Sequence, residues 1–260
     1  MTQLNILFVG DVFGQPGRDA LLGWLPAFRE ERAVDFVVAN GENVANGAGI
    51  TYKLALKLLA GGVDVLTTGN HVWRQKEVYS FLATDQRIVR PANYPAGAPG
   101  RGLTVRPAAD GSEVAVIDLA GQLFMNTSLS PFRIVDRLVE EAEVLAETIV
   151  VDLHAEATSE KVAMGHYLDG RVTAVLGTHT HVQTSDARVL PGGTAYMTDV
   201  GMTGPLESVI GVRTDIIVQR FLTEMPRQFE VADGAVRIDA ALIVAEGGRA
   251  ISIEVLEAIL

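Results

Sequence analysis

The stretch Asn5-Ile6-Leu7-Phe8-Val9-Gly10-Asp11 sets the reading of the whole chain. A short apolar run closed by Gly-Asp is too brief for a helix and fits a buried strand. Asp11 then stands just past the strand's C-terminal end. The same arrangement recurs further along. Phe36–Ala39 reads as a strand ending at Asn40-Gly41-Glu42-Asn43, and Val63–Leu66 as one ending at Gly69-Asn70-His71. Thr148–Leu153 ends at His154, and Val172–Leu176 ends at Gly177-Thr178-His179. Five strand ends thus carry ligand-capable side chains. In open α/β sheets that edge is where ligands bind.

Helical patterns separate the strands. Leu21, Leu22, Leu25 and Phe28 are spaced for a helix near Gly17–Arg32, and Thr51 is placed to cap the next one. A short helix is expected around Gln75–Leu82, and Arg90–Gly102 reads as a loop rich in Pro, Gly and Ala. Leu103–Arg106 and Glu113–Leu119 look like strands joined by a turn at Asp110-Gly111. Ser130 is expected to cap a helix running to about Ala146, and Ser159–Leu168 is helical. The tail from Arg188 to Val255 reads as short strands with one helix near Asp215–Glu224. There is no repeat and no low-complexity linker, so one domain over 1–260 is expected.

Composition narrows the partners. The chain of 260 residues carries a net charge of -11 and is 48% hydrophobic, which excludes a disordered chain. No apolar run approaches the roughly 20 residues needed to span a bilayer, so no membrane partner is expected. The first residues carry no basic flank or cleavage-type site, and a cytoplasmic location is expected. No cysteine is present, which excludes disulfides and thiolate ligands. The acidic balance, with no basic run, argues against extended nucleic acid. A small anion would need concentrated positive charge in a cleft, and metal ions supply that.

The five histidines are distributed tellingly. In an extended strand, alternate residues point the same way, so His179-Thr180-His181 would set two imidazoles side by side. Alone, this pair could be a solvated loop. Glu42, Asn70 and Asp11 could likewise be a solvated charge, a turn and a cap. Together they form the carboxylate, amide and imidazole set that a two-metal site needs. Arg18, Arg74 and Arg90 could contact phosphate but read better as surface residues. His166 falls inside a helix and reads as structural or exposed. Asp152 and Glu156 flank His154, and one of them could orient its ring. Gly201-Met202-Thr203-Gly204 reads as a turn.

The order Gly10-Asp11, Gly41-Glu42-Asn43, Gly69-Asn70-His71, His154 and Gly177-Thr178-His179-Thr180-His181 resembles the calcineurin-like metallophosphoesterases, and more closely the YmdB-type bacterial phosphodiesterases. The likeness covers nearly the whole chain, including Asp152-Leu153-His154-Ala155-Glu156 and the stretch from Leu190 to Pro205. It implies a layered α/β fold, central β-sheets flanked by helices, with the active site at strand C-terminal ends. Two positions depart from the broad superfamily: Phe13 stands where it has histidine, and Glu42 where it has the bridging aspartate. Both are expected of the YmdB type, in which Asn43 replaces the missing imidazole. The resemblance implies one metal held by Asp11, Glu42, Asn43 and His181, a second held by Glu42, Asn70, His154 and His179, and His71 as proton donor.

Charge counting agrees with that set. Two divalent ions bring four positive charges; Asp11, Glu42 and a bridging hydroxide cancel three, leaving one to face a phosphodiester. Coordination lowers the pKa of water to about 7, which makes hydroxide available. The oxygen and nitrogen donors favour Fe, Mn or Zn, and the resemblance implies iron or manganese. The expected substrate is a small phosphate ester, a 2′,3′-cyclic nucleotide in particular. The expected assembly is a homo-oligomer. The alternatives are a phosphomonoesterase, a metal-dependent amidohydrolase, and a non-enzymatic metal or nucleotide sensor.

Overall fold

The computed structural model describes residues 3–127 and 129–260. In chain order the strands and helices are β1 (Gln3–Val9), β2 (Asp11–Val12), α1 (Gly14–Glu31), β3 (Phe36–Asn40), α2 (Tyr52–Ala60), β4 (Val65–Thr67), α3 (Val78–Thr84), β5 (Leu103–Pro107), β6 (Glu113–Ala120), α4 (Val135–Glu143), β7 (Thr148–His154), α5 (Thr158–Leu168), β8 (Ala174–Thr178), β9 (Arg188–Val189), β10 (Ala195–Met197), β11 (Met202–Pro205), α6 (Thr214–Thr223), β12 (Val236–Glu246) and β13 (Arg249–Ile259).

The strands form two sheets. The first runs β2-β11-β12-β1-β3-β4, with β13 also paired to β12; the second runs β5-β6-β7-β8-β10-β9. β1, β3 and β4 are parallel, as are β6, β7, β8 and β10, so the C-terminal ends within each group share an edge. The period-two alternation of strand side chains explains the layering. Leu7, Val9, Val37 and Ala39 face α1, α2 and α3 through Leu21, Leu25, Leu58 and Leu82. Their neighbours Ile6, Phe8, Phe36 and Val38 face the other way and meet Val114, Val116, Val150 and Leu176 of the second sheet. Ile117, Leu119, Val151 and Leu153 point outward onto Leu138, Val139, Met164 and Leu168 of α4 and α5. The order is helix, sheet, sheet, helix, which is the layered α/β architecture expected.

Several local expectations need correction. Helix α1 starts at Gly14, whose left-handed φ of 61° turns the chain straight out of β2. The helix expected over Gln75–Leu82 is a 3-10 turn at Val72–Arg74 followed by α3. Thr51 does cap α2, accepting from Leu54 N at 3.3 Å. Ser130 caps nothing with its side chain: Pro131 opens a 3-10 turn to Arg133, and α4 begins only at Val135. Gly201–Gly204 is not a turn, because Met202–Pro205 is β11, paired on both sides. The tail ends in two long strands, β12 and β13, joined through Gly247 and Gly248. Asp239 in the middle of β12 interrupts the apolar signal there. Among the described residues, no helix is long and apolar enough to cross a membrane.

Candidate metal centre

The strand ends carry the expected side chains to one place. Asp11 opens β2, separated from β1 by Gly10 alone; Glu42 and Asn43 follow β3; Asn70 and His71 follow β4. His154 is the last residue of β7, and His179 and His181 follow β8. Glu42 is at the middle of the cluster. Its Oε1 lies 3.1 Å from His154 Nε2 and 3.4 Å from His71 Nδ1, and its Oε2 accepts the His71 backbone N–H at 2.9 Å. His154 Nε2 is also 3.0 Å from both Asn70 Oδ1 and His179 Nδ1. On the other side, Asn43 Nδ2 is 3.1 Å from His181 Nε2 and 3.5 Å from Asp11 Oδ1, while Asn43 Oδ1 is 2.7 Å from His71 Nδ1. All seven expected ligand positions and His71 therefore sit in one connected cluster.

Donor chemistry and space both fit a cation. Glu42, His154 and His179 each offer one ligand atom, all within 4.8 Å of one another, in a group placed for metal binding. Gly69 borders the group, and an added Cβ there would collide with the His154 ring and the Glu42 carboxylate. Only glycine lets β4 end this close to the ligand atoms.

The electrostatics call for positive charge. Asp11 and Glu42 are 0% and 1% exposed. Burial pushes the Asp11 pKa up, against the pull of His181 and His154. Burial acts the same way on Glu42, but His154 and His71 outweigh it and hold that pKa down. For His154, burial is overcome by Glu42, Asp11 and Asp152, and its pKa rises. Thr178 Oγ1 lies 2.9 Å from His154 Nδ1 and gives its own proton to Asp152, and Glu42 Oε1 lies on the Nε2 side. His179 is pushed down to about 3 by burial and by His154, and its Nδ1 faces the centre as a neutral acceptor. Imidazole and carboxylate donors bind a cation only when deprotonated, so cation uptake here would compete with acid.

The H-T-H pair is built differently from the strand geometry expected. β8 stops at Thr178, and His179 and His181 have φ of 100° and 64°. These left-handed backbones turn the rings apart: His179 goes to His154 and His181 to Asn43 and Asp11. Phe13 is buried, with its ring edge-on to His181 at 5.7 Å. It wedges the imidazole instead of supplying one. The flanking carboxylates also divide their work. Asp152 accepts from Thr178 Oγ1 at 2.7 Å and reaches His154 through that hydroxyl. Glu156 Oε2 lies 3.1 Å from His179 Nε2, not against His154.

Other side chains carry roles that sequence reading missed. Asn40 is fully buried; its Nδ2 lies 3.2 Å from Asp152 Oδ2, and its Oδ1 accepts from Glu42 N at 3.1 Å. An asparagine closing an otherwise apolar strand was the available signal. Arg18 and Arg90 are buried, contrary to expectation. Arg18 donates to the Val44 carbonyl, and Arg90 ties the carbonyls of Pro91, Ala98, Pro99 and Gly100 together. Arg74 and His166 are exposed, as expected.

Comparison with known proteins agrees with this geometry. The family model for YmdB-like protein matches residues 7–256. A 2′,3′-cyclic-nucleotide 2′-phosphodiesterase of Bacillus subtilis is 47% identical over 92% of this chain and 90% of its own length. A crystal structure of a hypothetical protein from Thermus thermophilus superimposes with a TM-score of 0.93 at 45% identity, covering 98% of this chain and 99% of that one. A crystal structure described as a novel phosphatase from Mycoplasma pneumoniae gives a TM-score of 0.92 at 30% identity, covering 100% and 94%. With matches spanning nearly every residue, the chain belongs to the YmdB-like protein family.

Proposed function

We propose that this chain is a metal-dependent phosphoric ester hydrolase that opens small phosphodiesters, 2′,3′-cyclic nucleotides foremost. The observation that carries this is the convergence of two fully buried carboxylates, two amides and three imidazoles at the strand ends of the two sheets. The name of the Bacillus subtilis relative supports the substrate class. Two transition-metal ions are proposed, iron or manganese before zinc. One would be held by Asp11, Glu42, Asn43 and His181, the other by Glu42, Asn70, His154 and His179. Such ions would supply Lewis acidity, activating water and stabilising charge on the phosphoryl oxygens.

The chain's own groups do the rest. Asn43 turns Nδ2 toward Asp11 and His181, so ligation through its oxygen requires the amide to turn over. Thr178 fixes His154 through Nδ1, which leaves Nε2 aimed at the centre. His71 is part-exposed beside Glu42, with Nδ1 engaged by Asn43. Nε2 is then the nitrogen free to donate to the departing alkoxide. Burial holds the His71 pKa below its ordinary value against the opposing pull of Glu42, so the ring is mostly neutral at pH 7 and its protonated form is the stronger acid.

The test is hydrolysis of 2′,3′-cyclic AMP and of p-nitrophenyl phosphate by protein reconstituted with Mn²⁺. Faster release from the cyclic diester is expected. Faster release from the monoester would make the chain a phosphomonoesterase. Binding without hydrolysis of either ester would make it a sensor.

A further inference from the structure

Behind the H-T-H loop lies a buried ion pair that the proposed chemistry does not use. Lys161 of α5 and Asp199, after β10, are 1% and 0% exposed, with Nζ 2.6 Å from Oδ2. The Lys161 stem runs beneath Gly177, at the end of β8. The Asp199 carboxylate accepts three donors from three segments. Oδ2 takes Lys161 Nζ and, at 3.1 Å, the backbone N–H of Thr180, the residue between the two histidines. Oδ1 takes the Gly201 N–H at 2.9 Å, and the Gly201 carbonyl in turn accepts the Asp11 N–H at 3.0 Å. Thr184 closes the loop from its other end, its N–H donating to the Asp199 carbonyl and its hydroxyl accepting the Asp199 N–H.

We infer that the Lys161–Asp199 pair is a clamp that sets the spacing between Asp11 and the His179–His181 loop, making both positioning residues for the cation site. The inference rests on the metal reading above. Two left-handed non-glycine residues in three are unfavourable and persist only where the surroundings impose them. An ionised carboxylate has lone pairs for all three donors, whereas an asparagine amide has one oxygen and would set an N–H against Thr180 or Gly201. Lys161 cancels the added negative charge from outside the ligand cluster. Stability alone gives no reason for such a pair, because neutral replacement of both partners usually costs little, while loss of one leaves a buried charge.

The experiment compares Lys161→Met, Asp199→Asn and the double variant. Each single variant melts lower than wild type, and the double variant recovers most of the loss. The clamp predicts that the recovered protein still binds Mn²⁺ about 10- to 100-fold more weakly, the usual effect of removing a group that orients ligands. Saturating Mn²⁺ then restores much of kcat, since the ligands themselves remain. A double variant with recovered melting and unchanged Mn²⁺ affinity overturns the inference. Amide exchange on metal-stripped wild type tests it without any variant. Thr180 N–H should be protected like a strand amide, and exchange at open-loop rates overturns the clamp even if the double variant fails to fold. Wild type that takes up no Mn²⁺ overturns the metal reading instead, and Thr180 exchange still judges the clamp.

Discussion

The two sheets contribute unlike halves to the site. The first sheet brings the oxygen donors and amides, Asp11 at the start of β2 and Glu42, Asn43 and Asn70 on loops after β3 and β4. The second brings the imidazoles, His154, His179 and His181, from β7 and β8. Neither half is a site alone. Carboxylates gathered at one sheet edge repel each other, and the His154 and His181 nitrogens that face Glu42 and Asn43 would lose those partners. The halves also differ in how they are held. Asp11 and Asn40 take their places as strand-end residues, whereas His179 and His181 need left-handed backbone and a buried ion pair behind them. The oxygen half follows from where strands stop, and the imidazole half depends on packing.

That contrast can be broken at its centre by Glu42→Gln. Glu42 is the group shared between the halves, so turnover should fall at least about 1,000-fold, the size of several kcal/mol of lost charge stabilisation. Metal content per chain, read by atomic absorption, should fall with it; full occupancy with full activity would show that the halves do not meet there. His71→Ala should cost roughly 100- to 10,000-fold in kcat while leaving metal content unchanged. An unchanged kcat removes His71 as proton donor. Glu156→Ala sharpens the imidazole side. Loss of the contact to His179 Nε2 should weaken Mn²⁺ binding about 10- to 100-fold, with Glu156→Gln retaining most of the affinity because the amide oxygen still accepts.

The smallest effect belongs between the halves, at Asp118. Its Oδ2 accepts Thr68 N at 2.9 Å, its Oδ1 has no partner among the described residues, and burial followed by the Asp152 charge pushes its pKa well above the ordinary value. The folded chain keeps this proton where the unfolded chain releases it. Stability therefore drops as pH rises from the unfolded carboxyl value toward the raised one, and is restored on acidification. Asp118→Asn should remove that slope, raising Tm at pH 8 more than at pH 5. An equal shift at both would show that the carboxyl is ionised in the fold.

Sequence made the oxygen half readable because each donor closes an apolar run beside a glycine or another polar residue. His154 was readable for the same reason. The conformation of the H-T-H loop was not, since Asp199, Thr184 and Lys161 lie far apart in sequence from one another or from the loop they hold. Arg18 and Arg90 were misread because their partners are backbone carbonyls, which leave no mark in residue identity. Asp152 or Glu156 was expected at the His154 ring, and it is Asp152 that reaches it, through Thr178. A strand end turns the next side chain away, and Glu156 meets the neighbouring strand's histidine instead.

The pairing of β1 with β12 has a consequence for synthesis. Leu7 lies opposite Leu242 and Val9 opposite Ala240, so β1 is flanked by a strand made long after it. Gly10 donates to the Asp239 carbonyl and Asp11 to that of Gly201, both also late. A ribosome adding about 5–20 residues per second must therefore bring out β11 and β12 before Asp11 is fixed. A nascent chain would hold its histidines and carboxylates apart until then, so the cluster assembles only once β12 has emerged.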